Sequence, residues 1–221
     1  MPQKPRVVPA KPRQTDKLGR PDRPRRAVAR DERRAALLGA ARDVFTSKGY
    51  HAATVDDITR AAGVAKGTFY LYFREKREIY YEVIRGFLQL IKDIGRSVTD
   101  AAAPQDFLAR AERAAHLLMK VFVENRKLAR LAYRESMGLD RELDEMIRGF
   151  YREIAEVEAA NIRVGIDLGL LRPVDPMLVA YSHIGMVERV LLASLEEDSG
   201  LPPPDKIVAE MMRIGFEGIR R

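Results

Sequence analysis

Residues 54–73 read TVDDITRAAGVAKGTFYLYF. Thr54, with Asp57 three residues on, is a helix-start signal: the hydroxyl can accept an early backbone N–H, and Asp57 adds negative charge to the first turn. Val55, Ile58, Ala61 and Ala62 supply a short apolar face and Gly63 stops it. A second short helix is predicted from about Ala65 to Phe73. Two short helices joined by a glycine turn form a helix-turn-helix, whose second helix enters the DNA major groove N-terminal residues first. Its exposed side chains are then Lys66, Thr68, Tyr70 and Tyr72, with Phe69 and Phe73 inside. Lysine and tyrosine hydroxyls suit phosphate oxygens, and a threonine can meet a base edge or a thymine methyl. Gly67 weakens the helix by about 1 kcal/mol relative to Ala, which makes sense if the backbone must approach DNA closely. The blander reading makes Tyr70 and Tyr72 half-buried helix tyrosines.

Outward from this stretch the spacing stays helical. Leu37, Leu38, Ala41, Val44 and Phe45 define an amphipathic helix that stops near Gly49. Glu75 to about Arg96 reads as one long helix with Ile79, Val83, Ile84, Phe87, Leu90, Ile91 and Ile94 inside. Segments near 104–123, 125–136, 142–168, 175–197 and 204–219 follow, separated by Pro104, Gly138, Gly169 with Pro173, and Pro202–Pro204. No sustained strand alternation appears. The predicted fold is all-α: a three-helix head carrying the helix-turn-helix, then a larger bundle.

Charge is concentrated at one end. The chain of 221 residues carries a net +7. Residues 1–30 hold ten Lys/Arg against two acids, a net +8, with six of the twelve prolines. That composition opposes compaction and predicts a disordered basic arm, which either adds sequence-independent phosphate affinity or has no DNA role. There is no cysteine, which excludes disulfide scaffolds, Cys-ligated metal sites and thiol nucleophiles. No apolar leader and no membrane-length apolar run is present, so a cytoplasmic protein without membrane contact is expected. His51, His116 and His183 lack metal-ligand spacing, and no catalytic set or phosphate loop is visible. No metal, cofactor or enzymatic activity is therefore expected.

Residues 31–80 resemble the DNA-binding head of TetR-type transcriptional regulators. The stretches that carry the resemblance are AARDVFTSKGYHAATVDDITRAAGV and AKGTFYLYFREK. The resemblance implies that Lys66, Thr68, Tyr70 and Tyr72 face DNA, and that Thr54 and Lys76 set two helix starts against phosphates. Two positions depart from the family pattern. Ala65 stands where Ser or Thr is frequent and cannot cap, at about 1 kcal/mol; Leu71 stands where His is frequent. The rear of the chain resembles the family's ligand-binding and dimerisation domain only in length and helix order.

The implied organisation is an arm over 1–30, a DNA-binding domain over 31–76 and a ligand-binding and dimerisation domain over 77–221. Candidate pocket residues are Phe87, Ile91, Leu118, Phe122, Tyr133, Met137, Phe150, Tyr151 and His183. Each also fits a plain core, as do Leu117, Val121, Leu131, Met146 and Ile154. Arg130 and Arg134, one turn apart, suit either a ligand carboxylate or a solvated face. Candidate dimer residues are Leu178, Ser182, Gly185, Val190, Ala193, Met212 and Phe216, in the two helices that pair as a four-helix bundle in the family. The leading expectation is a homodimeric regulator that binds operator DNA and acts as a repressor released by a small, largely apolar ligand. The competing one is a helical-bundle enzyme or small-molecule carrier whose head mediates protein contacts.

Overall fold

The computed structural model describes residues 23–98, 103–135, 138–194, 196 and 199–219, all-helical as expected. Helix α1 spans Arg23–Ala52. It begins inside the segment assigned to the arm: residues 23–30 are rich in Arg and Ala, good helix formers, and Pro24 sits in the first turn, where no N–H is needed. The rest of the arm, residues 1–22, lies outside the described residues. At Gly49 the backbone leaves helical geometry with φ 77° and ψ 166°, a left-handed conformation for which glycine is suited.

Helix α2 (Val55–Ala61) starts on the expected cap. The Thr54 hydroxyl accepts the Asp57 N–H at 3.1 Å, and the Asp57 carboxylate accepts the Thr54 N–H at 3.1 Å and its hydroxyl at 2.8 Å. Gly63, at φ 66°, turns the chain. Helix α3 is Lys66–Tyr70, shorter than predicted, with Ala65 as an N-cap that makes no side-chain hydrogen bond. Phe69 and Phe73 are buried nonetheless, their centroids 5.6 Å apart.

Helix α4 (Lys76–Arg96) carries the head onto the bundle and buries Ile79, Tyr80, Val83, Ile84, Phe87, Leu88, Ile91 and Ile94. Leu90, expected inside, is 43 % exposed, and Leu88 takes its place. Leu117 is likewise exposed. Each precedes an inward residue, Ile91 or Leu118, by one step, and 100° of rotation turns it outward.

The bundle comprises α5 (Pro104–Glu124), α6 (Arg126–Arg130) with a π-helical turn over Leu131–Glu135, α7 (Arg141–Asp167), α8 (Pro176–Ser194) and α9 (Pro204–Glu217). Helix α7 packs on α4 and α8, α5 packs on α9, and α1 touches α6 and the π-helical turn. One apolar cluster runs from Leu37, Phe45 and Phe69 along α4 to Phe122, Leu143, Leu191 and Val208. Head and bundle thus share a continuous core, so a shift in one is felt in the other.

Candidate DNA interface and interior cavity

On α3, Lys66, Gly67 and Tyr70 are exposed, Tyr70 at 53 %, and Thr68 is half-buried; Tyr72, two residues past the helix end, is half-buried too. Tyr72 also packs against the core. Among the described residues, nothing outside its own helix backbone lies within 4 Å of a Cβ added at Gly67, so internal packing does not require the glycine. Sequence reasoning left Leu71 off the exposed face, yet at 73 % exposure it is the most solvent-facing large apolar residue of the head. Its departure from the family pattern was the available signal. The Lys66 ammonium sits 2.9 Å from Asp56, which raises its pKa. Asp57 holds Lys48 at 2.8 Å and Arg60 at 3.6 Å. The hydrogen bond from Lys48, then that from Thr54, draws the Asp57 carboxyl down to about 2.

Lys76 has partners that spacing did not suggest. Its ammonium donates to the carbonyls of Tyr50 at 2.7 Å and Ala53 at 2.8 Å, with His51 O at 3.4 Å, and lies 4.4 Å from the Tyr50 ring centroid. Those carbonyls lie at and just beyond the end of α1, where backbone acceptors lack helical donors. Lys76 therefore ties the end of α1 to the start of α4, and burial lowers its pKa. Five residues along α4, the Tyr81 hydroxyl bonds the Asp140 carboxylate, which itself caps α7 through Leu143 N–H at 2.9 Å. Head, α4 and α7 are joined in series.

Behind this linkage lies a cavity of about 260 Å³ between α4, α5, α7, α8 and α9. Of the expected pocket residues, Ile91, Leu118, Phe122, Tyr133, Phe150, Tyr151 and His183 line it. Phe87 does not; it sits behind the wall, its ring 5.6 Å from Phe122. Met137 and the side chain of Arg134 lie outside the described residues, and Arg130 is exposed. Sequence reasoning missed the polar fittings. Glu158 bonds His183 Nδ1 at 3.1 Å, Asn161 Nδ2 donates to Gly95 O at 3.2 Å, and the Tyr151 hydroxyl donates to Glu188 at 2.7 Å. Their signal was polarity on an apolar stripe: Ile154, Glu158, Asn161 and Gly165 share one face of α7.

Toward solvent, α8 presents Leu178 (68 % exposed), Tyr181, Ser182 and Gly185, and α9 presents Ile214. Two expected dimer residues are used within the chain: Val190 packs on the core and Met212 lines the cavity. Both lie on the inward side of helices that are apolar on more than one face. Ala193 is half-buried, and the side chain of Phe216 is outside the described residues.

Residues 37–83 match the bacterial regulatory proteins of the tetR family, and residues 104–192 match a tetracyclin repressor-like C-terminal domain. The uncharacterised HTH-type transcriptional regulator YhgD of Bacillus subtilis is 28 % identical over 186 residues, covering 79 % of this chain and 89 % of its own. SmeT, repressor of the Stenotrophomonas maltophilia multidrug efflux pump SmeDEF, superposes with a TM-score of 0.70 at 18 % identity, over 85 % of this chain and 90 % of SmeT. The Bacillus subtilis regulator FadR, solved with stearoyl-CoA, gives 0.66 at 20 % identity, over 84 % of this chain and 99 % of FadR. With the helix-turn-helix, the connecting α4 and the hollow bundle in the family's order, the chain belongs to the TetR family of DNA-binding transcriptional regulators.

Proposed function

We propose that the chain is a homodimeric, non-enzymatic repressor that leaves its operator when a small, largely apolar molecule fills the cavity. The observation that carries this is the cavity itself: an apolar chamber against α4, the helix on which the DNA-reading head is mounted. Lys66, Thr68, Tyr70 and Tyr72 would face the major groove, with Gly67 admitting the backbone. Thr54 would set the start of α2 against a phosphate. Lys66 must exchange Asp56 for a phosphate oxygen to do so. Lys76 serves as the strut between α1 and α4 rather than as a phosphate contact.

A single helix-turn-helix reads few base pairs, so a two-fold pair is needed, with recognition helices about 34–36 Å apart. Leu178, Tyr181, Ser182, Gly185 and Ile214 form an outward face suited to an isologous contact. Residues 31–76 act as the DNA-binding domain and 77–221 as the sensor and dimer domain. A ligand that fits the chamber only in the conformation with altered head spacing shifts the population away from DNA. For the alternative of a bundle enzyme, no catalytic residue set is assembled among the described residues, and for a carrier the helix-turn-helix head would have no role.

The test is a gel shift on DNA from the chain's own upstream region, titrated with hydrophobic amines, alcohols, drugs and sugar phosphates. Release by apolar compounds is expected. Release by the sugar phosphates alone would contradict the reading.

A further inference from the structure

The charges lining the cavity favour one sign of ligand. Among its described lining residues there is no lysine and no arginine. Two carboxylates, Glu158 and Glu188, face one ionisable base, His183, and that imidazole is already bonded to Glu158. Glu188 is different. One of its oxygens accepts the Tyr151 hydroxyl at 2.7 Å, and no described residue donates to the other. Burial, first, pushes the Tyr151 hydroxyl far up and that of Tyr133 up to about 12. Both phenols stay protonated at neutral pH, and the Tyr151 hydroxyl donates to Glu188, the acidic side chain at this end. The rings of Phe122, Tyr133, Phe150 and Tyr151 line the same cavity.

We infer that the cavity selects an apolar or aromatic molecule bearing one protonated amine, with the nitrogen seated on the open oxygen of Glu188. The inference rests on the ligand-controlled reading above and narrows it. A carboxylate on an apolar wall is poorly solvated, and an ammonium supplies both the opposite charge and an N–H donor. Aromatic faces add attraction for a cation and none for an anion. A carboxylate or phosphate would meet two acidic side chains, and the one base among the described lining residues is already engaged. The alternative, in which Glu188 merely anchors Tyr151, predicts no preference among ligand head groups.

The test is calorimetric titration of the full-length protein at pH 7 with decylamine, decanol and decanoic acid, all below micelle-forming concentrations. The three share one tail and differ in head group. The amine should bind about ten-fold or more tighter than the acid. Glu188→Gln keeps the acceptor for Tyr151 and removes the charge; it should weaken the amine by about 10- to 100-fold and leave decanol nearly unchanged. An acid that binds as tightly as the amine overturns the inference while leaving ligand control standing, as does a Gln variant indifferent to the change. Failure of all three to bind overturns both. Should Glu188→Gln not fold, the order of the three head groups on the wild-type protein decides the matter.

Discussion

Lys76→Met is the substitution that best separates what the structure says from what spacing suggested. Methionine keeps most of the aliphatic stem and removes the ammonium, so packing along Tyr50 survives while the carbonyls of Tyr50 and Ala53 lose their donor. A hydrogen bond to a charged group is worth about 1.5–3 kcal/mol. Two short ones set an upper bound of about 3–6 kcal/mol, and partial rehydration of the freed carbonyls lowers the expectation to about 2–4 kcal/mol. For a chain of this length that is a fall in the unfolding midpoint of about 4 °C or more, read by circular dichroism at 222 nm. DNA binding gives the second reading. A strut that touches no phosphate leaves the slope of log affinity against log salt unchanged, whereas loss of a phosphate contact lowers it by about one unit. A variant as stable as wild type with a slope reduced by one unit would refute the strut and restore Lys76 to the DNA surface.

Other consequences are as specific. Lys66→Ala should weaken binding to all DNA and flatten the salt slope by about one unit, and Asp56→Asn, which frees Lys66 and removes a repelling charge, should strengthen it; a weaker Asn variant would contradict the proposed exchange. Asp57 has its carboxyl drawn from 3.8 to about 2 in the folded head. A lowered folded value means the carboxylate's contribution is complete above about 3.8 and is lost as pH falls through about 2. Acid titration should therefore unfold wild type more steeply than Asp57→Asn between pH 4 and 2, and superimposed profiles would show that the pairing with Lys48 and Thr54 adds nothing. Gly185 has open space where a Cβ would project, so Gly185→Arg should fold and yet sediment near 25.0 kDa, while wild type sediments near twice that; equal masses would move the dimer face elsewhere.

The head was legible because its determinants are local. Thr54, Asp57 and Gly63 lie within ten residues, and their caps and turn depend on near neighbours alone. The all-helical fold was legible from periodicity and breakers for the same reason. What escaped depends on distant packing. The carbonyls that hold Lys76 are 23–26 residues upstream, and no spacing rule joins them. Helix α8 is apolar nearly all round, so sequence could not divide Leu178, which faces solvent, from Val190, which faces the core. Met212 was placed at the dimer face because an apolar stripe does not say which neighbour it meets. Glu158 and Glu188 were missed because their meeting in one chamber requires α7 and α8 to be packed first.

Two copies of this chain reading one two-fold DNA site would leave a signature in a selection from a random 30-base-pair duplex library with the full-length protein at physiological salt. The expected result is enrichment of an inverted repeat whose half-site centres lie about one helical turn apart, or a whole multiple of it, bound about 10³-fold or more tighter than scrambled sequence. Enrichment of a lone half-site, or of nothing, would contradict it.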